Sequence, residues 1–130
     1  MWTNPFSSLA SGLVFADDTT DIDALDYDLR DAGWRVGRCI VTPADDKTTV
    51  INSIREQLGF PTWTGSNLDA LYDALTDLSW LDAQRIALII DRTPAARQGA
   101  LDGWEQIREV LFDVTAWWQS SQCTFVAVVR

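Results

Sequence analysis

The sequence predicts an α/β protein in which a parallel sheet of three to four strands is flanked by helices. Two continuous apolar runs, 86–90 and 124–129, have the length and composition of strands that are buried on both faces. Segments with apolar residues at helical spacing lie before and between these runs. Strands that alternate with helices along a chain pair in parallel, through right-handed crossovers.

The first third of the chain is predicted to contain a strand, a helix and a second strand. Residues 1–11 show no periodicity and are expected to form a loose arm, whereas residues 12–16 form a short apolar run. The acidic and hydroxyl residues at 17–21 can cap the start of a helix, which ends at Gly33. The apolar residues of this helix are Ile22, Leu25 and Leu29. Residues 34–41 then have the character of a second strand.

Three further helices are predicted in the rest of the chain. One covers 49–58 and ends at Gly59, and the next covers 68–78 and begins after Gly65-Ser66-Asn67. The third lies between the two buried apolar runs, and its apolar residues keep helical spacing: Trp104, Ile107, Leu111, Val114 and Trp118. The predicted order is therefore βα, βαα, βα, β.

The charge of the chain is strongly acidic. It has 19 Asp and Glu against 10 Lys and Arg, which gives a net charge of −9. Such a field repels phosphate backbones and anionic lipids and attracts basic partners. We therefore expect no direct binding of nucleic acid and no membrane association. Residues 1–6 also lack the pattern of a secretory signal, so we expect a cytoplasmic protein.

The residues needed for common catalytic sites are scarce. The chain has no histidine, which is the commonest general base and metal ligand. Its two cysteines, Cys39 and Cys123, match no metal-site or redox spacing and lie in strand-like runs. We therefore expect a protein that is not an enzyme, with no catalytic residue, no metal and no cofactor.

The helix predicted over 68–78 has one acidic side. At helical spacing, five residues gather within roughly 140° of arc and form what we call the acidic face: Asp69, Tyr72, Asp73, Thr76 and Asp77. Aspartates four positions apart on a helix destabilise it by about 0.2–0.5 kcal/mol per pair. No Lys or Arg lies between Glu56 and Gln84 to relieve this repulsion. Exposure of this side of the helix to solvent would by itself be enough to explain its acidic residues.

The connection before this helix, residues 59–67, favours a binding patch over a solvated surface; we call it the approach loop. Pro61 stiffens the loop, and Gly65 is expected to permit an unusual backbone angle. Trp63 brings an aromatic side chain next to the row of carboxylates, as protein interfaces often do. The same indole could instead fold back over the core, and the sequence leaves both positions open.

The segment Pro61-x-Trp63-x-Gly65-x-Asn67-Leu-Asp-Ala-Leu-Tyr-Asp73-x-Leu75-Thr76 resembles the signature of the barstar family, intracellular inhibitors of the ribonuclease barnase. The resemblance extends more weakly from Trp34 to the end of the chain. It implies a single domain over 1–130, in which a barstar-like core at 34–130 follows an arm and an extra strand and helix at 1–33.

The resemblance also implies a site and a mechanism. In the family, the acidic helix and its approach loop insert into the nuclease cleft. Asp73 would replace a substrate phosphate there, and Asp69 would contact a nearby cationic group. The partner-binding residues implied are Trp63, Thr64, Gly65, Asn67, Asp69, Tyr72, Asp73, Thr76 and Asp77. The chain would then be an antitoxin or immunity protein that blocks a small basic ribonuclease in a 1:1 complex and is a monomer when free.

This sequence departs from the family pattern at several positions. Thr64 stands where barstar has a second aromatic residue, and residues 77–79 replace Gly-Trp-Val. An acidic contact from the last helix of barstar corresponds to the region of Trp117-Trp118. Asp113 or Glu109, one turn earlier, are the alternatives for that contact.

Two other functions compete with inhibition. The acidic helix could serve an adaptor that binds a basic protein other than a nuclease. Asp17, Asp18 and Asp91 follow predicted strands, as do the acids of phosphoacceptor receiver domains. Those domains also need a lysine after a later strand, and Lys47 is the last lysine of this chain. The receiver-domain hypothesis is therefore weaker than the inhibitor and adaptor hypotheses.

Overall fold

The computed structural model describes residues 11–61, 64–77, 83–99, 103–120 and 123–130. The strands in these residues are β1 (Gly12–Phe15), β2 (Arg35–Val41), β3 (Arg85–Arg92) and β4 (Thr124–Val129). The helices are α1 (Ile22–Asp31), α2 (Lys47–Leu58), α3 (Leu68–Thr76), α4 (Pro94–Gln98) and α5 (Trp104–Trp118).

The four strands form one parallel sheet in the order β1-β4-β3-β2. At the centre, Val126 of β4 is paired with Gly12 of β1 on one side and with Ala87 of β3 on the other. The two central strands are the continuous apolar runs of the sequence, because a strand with neighbours on both edges and helices on both faces meets no solvent. The predicted α/β class and parallel sheet are confirmed.

Alternate residues of the strands enter two separate cores. One face of the sheet packs against α2, α3 and α5, and its largest fully buried side chain is Phe125. The other face packs against α1 through Ile22, Leu25 and Leu29. This second core also contains Trp34 and Val36 with four strand residues: Ala87, Ile89, Val126 and Val128. Helix α1 therefore covers a face that would otherwise expose apolar side chains to water.

The N-terminal strand pairs within the chain, an arrangement that the sequence left open. Strand β1 extends the sheet beyond β4, with Phe15 opposite Val129. Ser11, just before β1, fixes its start because its hydroxyl oxygen accepts from the backbone N–H of Phe125 at 2.8 Å. Residues 12–15 are thus an integral part of the sheet.

Helix boundaries follow local capping. Asp46 caps α2 through the N–H of Thr49, so the helix begins at Lys47 rather than at Thr49 as expected. Gly59 ends α2 with a φ of 71°, a left-handed conformation that favours glycine. The short helix α4 was not predicted, since its five residues are too few to show a periodicity. Within the described residues, no helix has the length and apolar character needed to cross a membrane.

Candidate functional site

Helix α3 is held by its apolar side and by one tertiary hydrogen bond. Leu71 and Leu75 are fully buried in the core beneath it. The indole N–H of Trp118, on α5, donates to the backbone carbonyl oxygen of Leu75 at 2.8 Å, next to the C-terminal end of α3. Because both side-chain packing and this hydrogen bond fix the helix, the opposite side is presented in a single orientation.

The acidic face of α3 points outward. Asp69, Asp73 and Asp77 are exposed, and Tyr72 and Thr76 are partly buried at its margin. Among the residues that the structure describes, no Lys or Arg nitrogen lies within 4.0 Å of the carboxylates of Asp69 or Asp73. The two aspartates therefore keep their charge available for a partner.

The dipole of α3 affects Asp69 and Asp73 differently. Asp69 lies in the first turn of α3, where the positive end of the helix dipole stabilises a carboxylate. The last turn contains no basic residue, so nothing in that turn offsets the negative partial charge of the C-terminal carbonyl groups. Asp73 is one turn further along than Asp69 and lies near this negative end. A cation that approaches Asp73 is therefore attracted both by its carboxylate and by the negative end of the helix dipole.

The approach loop is clamped from below by Arg55 of α2. Its Nε donates to the hydroxyl oxygen of Thr64 at 3.1 Å, and Nη2 donates to the carbonyl oxygen of the same residue at 2.8 Å. Nη1 donates to the hydroxyl of Ser66 at 3.0 Å and to Oδ1 of Asn52 at 3.1 Å. The hydroxyl of Ser66 also donates to Asn52 at 2.8 Å. One guanidinium thus holds two residues of the loop against α2.

Sequence reasoning did not find this clamp. Arg55 and Asn52 lie on a helix whose pattern showed only its apolar side, and the clamp spans a turn that no motif describes. The single available signal was Arg55 itself, a basic residue directly before a long stretch without one.

The start of α3 is determined by Asn67 and Gly65. The side-chain oxygen of Asn67 accepts from the backbone N–H of Ala70 at 2.8 Å, which is the usual N-cap interaction. The expectation that Gly65 has an unusual backbone angle was wrong, because its φ is not positive. The reason for glycine is space: a Cβ at this position would lie 3.2 Å from the Cβ of Ala70.

The predicted site residues differ in how far they are exposed to solvent. Gly65 and Asn67 are exposed beside the acidic face, whereas Thr64 is only 9% exposed. The hydroxyl of Thr64 donates to the carbonyl oxygen of Pro61 at 2.8 Å, besides accepting from the clamp. Trp63 lies outside the described residues. The side chain of Thr64 therefore supports the loop from within.

The acids of the receiver-like alternative are brought to the carboxyl edge of the sheet, but they are already bound. Arg130 donates to both carboxylate oxygens of Asp91, at 2.9 and 3.1 Å. It also donates to the backbone carbonyl oxygens of Asp17 and Thr20. Asp18 is paired with Arg97. An arginine lies where a receiver domain would need an open acidic pocket, and this alternative loses its geometric basis.

Cys39 shows no sign of an activated nucleophile. The residue is buried in the core, and burial raises the pKa of its thiol to about 11. A thiol with that pKa is almost entirely protonated at neutral pH, and the thiolate is the reactive form.

Comparison with protein families identifies the chain. A family model described as Barstar (barnase inhibitor) matches residues 34–130, three quarters of the sequence. The chain belongs to the barstar family. The match begins just before β2 and includes α3, the approach loop and the Arg55 clamp, whereas β1 and α1 precede it. No curated protein sequence matches the chain.

Membership of the barstar family indicates the general function of the protein. The family consists of inhibitors and not of enzymes, and it implies binding to a ribonuclease. The barstar-like part of this chain presents Asp69 and Asp73 on the exposed side of a helix that is anchored in the core. Its general function is thus of the barnase-inhibitor type.

Proposed function

We propose that this protein is an antitoxin or immunity protein that inhibits a small basic ribonuclease. Helix α3 and the approach loop would enter the cleft of the enzyme in a 1:1 complex, and the inhibitor would be a monomer when free. Such a protein would act in the cytoplasm, where the RNA to be protected is located. The observation that carries the proposal is the exposure of Asp69 and Asp73 without a basic neighbour among the described residues.

The chemistry of RNA cleavage explains why carboxylates suit this role. A ribonuclease must hold the phosphates of its substrate with cationic side chains. A carboxylate offers the same negative, hydrogen-bond-accepting oxygens, and Arg binds both groups well. We assign Asp73 to the place of a phosphate and Asp69 to a neighbouring cationic group, because the two lie one helical turn apart on a fixed support.

The clamped residues Thr64 and Ser66 and the packed helix favour tight binding because they are ordered before the partner arrives. Ordering a loop and its side chains on binding costs free energy that a preformed surface does not lose. The long-range attraction between an acidic inhibitor and a basic enzyme also speeds their encounter, and barnase with barstar is itself the standard example of such steering.

The other residues of the proposed site surround the charges. Trp63 and Tyr72 would contribute apolar contact area, while Gly65, Asn67 and Thr76 would add backbone or polar contacts; Asp77 extends the acidic row. The side chain of Thr64 supports the loop instead of contacting the partner, because it is turned inward and bound by Arg55.

The proposal is tested by RNA cleavage in the presence of equimolar inhibitor. Barnase is the first enzyme to assay, followed by other small basic ribonucleases. Asp73→Asn should weaken inhibition of the sensitive enzyme by at least about 30-fold, as expected for the loss of a buried charge pair. Asp69→Asn should have a smaller effect in the same direction.

The matched control is Asp31→Asn, which removes the same charge from the exposed end of α1, on the opposite face of the sheet. Asp21 is unsuitable because its carboxylate caps α1. Equal inhibition by the Asp73 and Asp31 variants would reject the proposal. Binding to a basic protein without any change in RNA cleavage would instead support the adaptor alternative.

A further inference from the structure

The two edges of the sheet differ in how their backbone groups are covered. At the β2 edge, the side-chain oxygen Oε1 of Gln57 accepts from the backbone N–H of Arg38 at 3.1 Å. At the other edge, β1 pairs with β4 alone among the residues that the structure describes. An edge strand with free backbone groups is a place where another strand can add. The described part of the chain thus leaves the β1 edge open.

The backbone groups at this open edge belong to Leu13 and Phe15. On the other side of β1, the N–H of Ala16 donates to the carbonyl oxygen of Val129 on β4 at 2.8 Å. Successive residues of a strand direct their backbone groups to opposite sides. Val14 is therefore directed at β4 like Ala16, whereas Leu13 and Phe15 direct their N–H and C=O groups away from it. An added strand would pair with these two residues.

An apolar groove lies directly beside the open edge. It has a volume of about 430 Å³, and its lining includes Leu13 and Phe15 of β1 and Phe112 of α5. Phe15 is 63% exposed and Phe112 is 60% exposed. One exposed aromatic side chain is common in soluble proteins. Two phenyl rings that line one groove next to an open strand edge form a larger apolar surface, which is typical of an interaction site.

The charged residues of the groove indicate what kind of segment fits it. Arg108 forms an ion pair with Glu105. Glu109 and Asp113 are exposed, and no Lys or Arg nitrogen of the described residues lies within 4.0 Å of their carboxylates. The two acids considered for a contact from the last helix thus line this groove, whereas the acidic face belongs to α3. Apolar surface beside free carboxylates is complementary to an apolar side chain beside a Lys or Arg.

From these observations we infer that β1 is a docking strand for an extended segment of a second protein, in which an aliphatic side chain lies two positions from a Lys or Arg. Addition of a strand to an open sheet edge is a common mode of peptide recognition. Side chains two positions apart in a strand face the same side. The aliphatic side chain would therefore lie between Phe15 and Phe112, and the basic one would reach Glu109 or Asp113.

This docking surface is separate from the proposed inhibitory site. It consists of β1, which precedes the residues matched by the family model, and of one side of α5. A segment docked there uses none of the residues that we assign to the ribonuclease. The inference thus goes beyond ribonuclease inhibition and does not depend on it.

The probe for this surface is the capped peptide Lys-Thr-Leu-Thr-Lys-Thr, which places Lys, Leu and Lys on one side of a strand. Nuclear magnetic resonance of the ¹⁵N-labelled full chain, at about 0.15 M salt to screen unspecific attraction, measures its binding residue by residue. The amide signals of Leu13, Phe15 and Phe112 should shift and reach saturation. The same peptide with Glu in place of both Lys should bind at least about 5-fold more weakly.

A third peptide tests whether the backbone of the segment takes part. N-methylation of Leu and of the Thr that follows it keeps the side chains but removes a backbone donor whichever way the strand runs. This peptide should also bind at least about 5-fold more weakly than the unmodified one. Equal binding of the three peptides, or shifts confined to α3, would show unspecific attraction to an acidic chain and would overturn the inference.

Phe112→Ser and Tyr27→Ser form a matched pair of variants. Both replace an exposed aromatic residue of a helix, and Tyr27 is 69% exposed on α1, at the other face of the sheet. Phe112→Ser should raise the dissociation constant of the peptide at least about 5-fold, because an apolar contact is lost. Tyr27→Ser should leave it within about 2-fold. Thermal unfolding checks that both variants are folded, and equal dissociation constants of the two would contradict the inference.

Hydrogen exchange of the free chain tests whether the edge is available. The backbone N–H groups of Leu13 and Phe15 should exchange rapidly and become protected when the peptide binds. Slow exchange without peptide would mean that the edge is already occupied. Sedimentation equilibrium would then identify the occupant: a dimer indicates a second copy, and a monomer indicates residues 1–10, which lie outside the described residues. Either result overturns the inference.

Discussion

Arg55 binds Thr64 at both its hydroxyl and its backbone carbonyl oxygen, and this pair joins α2 to the loop that leads into α3. The guanidinium is a permanent positive charge directly behind an acidic surface, yet it is directed into the loop. Its role is to order the loop that leads into the helix that bears the carboxylates. A basic residue placed in this way supports an acidic site without neutralising it.

The clamp predicts that Arg55→Ala weakens both folding and inhibition. The change leaves partly buried oxygens of Thr64 and Ser66 without the guanidinium that donates to them, which costs about 1–3 kcal/mol. The free energy of unfolding, measured in urea, should fall by that amount. Inhibition should weaken in addition, because the loop must then be ordered on binding.

Arg30→Ala is the control for this prediction. It produces the same change in net charge, but Arg30 is a surface residue of α1 whose ion pair, among the described residues, is with Asp26. A surface pair of this kind contributes about 0–1 kcal/mol. If both variants behave alike, the clamp has no special role.

The acidic face predicts a strong salt dependence of complex formation. Raising the ionic strength from about 0.1 M to about 1 M shortens the Debye length from about 10 Å to about 3 Å. The association rate constant of the wild-type chain, measured by stopped flow, should then fall about 10-fold or more. The double variant Asp69→Asn/Asp73→Asn should show a clearly smaller decrease. A rate constant that is independent of salt would contradict electrostatic steering.

The second core predicts that α1 is needed for the stability of the whole sheet. Leu25 is fully buried between α1 and the strands, so Leu25→Ala should lower the free energy of unfolding by about 2–5 kcal/mol. Tyr27→Ala, two positions away on the exposed side of the same helix, should change it by less than about 0.5 kcal/mol. Similar small effects of both changes would mean that α1 is only loosely attached.

Acid unfolding should depend in part on Asp46. Hydrogen bonds from the backbone N–H and then the hydroxyl of Thr49 lower the pKa of Asp46 below its ordinary value. A carboxyl whose pKa is lower in the folded than in the unfolded chain stabilises the fold above about pH 3.9, and this contribution is lost as the pH falls through the folded value. Asp46→Asn keeps the capping oxygen but does not titrate.

Between about pH 5 and about pH 2, the Asp46→Asn variant should therefore lose less of its free energy of unfolding than the wild type does. Chemical denaturation at each pH measures this difference. Parallel losses in the two proteins would show that the cap of α2 does not contribute to acid sensitivity.

Features that repeat along a short stretch of chain were predictable. The apolar runs of β3 and β4, the spacing of Leu71 and Leu75, and the cap at Asn67 each depend on residues within a turn or two of one another. Periodicity also places Asp69 and Asp73 on one face of α3, whatever that helix packs against. The sequence by itself thus determined the fold class, the acidic face and the resemblance to barstar.

The tertiary structure decided what depends on residues far apart in the chain. Only packing shows that β1 pairs with β4, that Arg55 turns Thr64 inward, and that the indole of Trp118 on α5 binds the end of α3. A helix pattern tells which side of α5 is buried but not which neighbour flanks each edge of that side. The neighbours of α5 are determined by contacts between elements that are far apart in the chain. A local sequence pattern contains no information about such contacts.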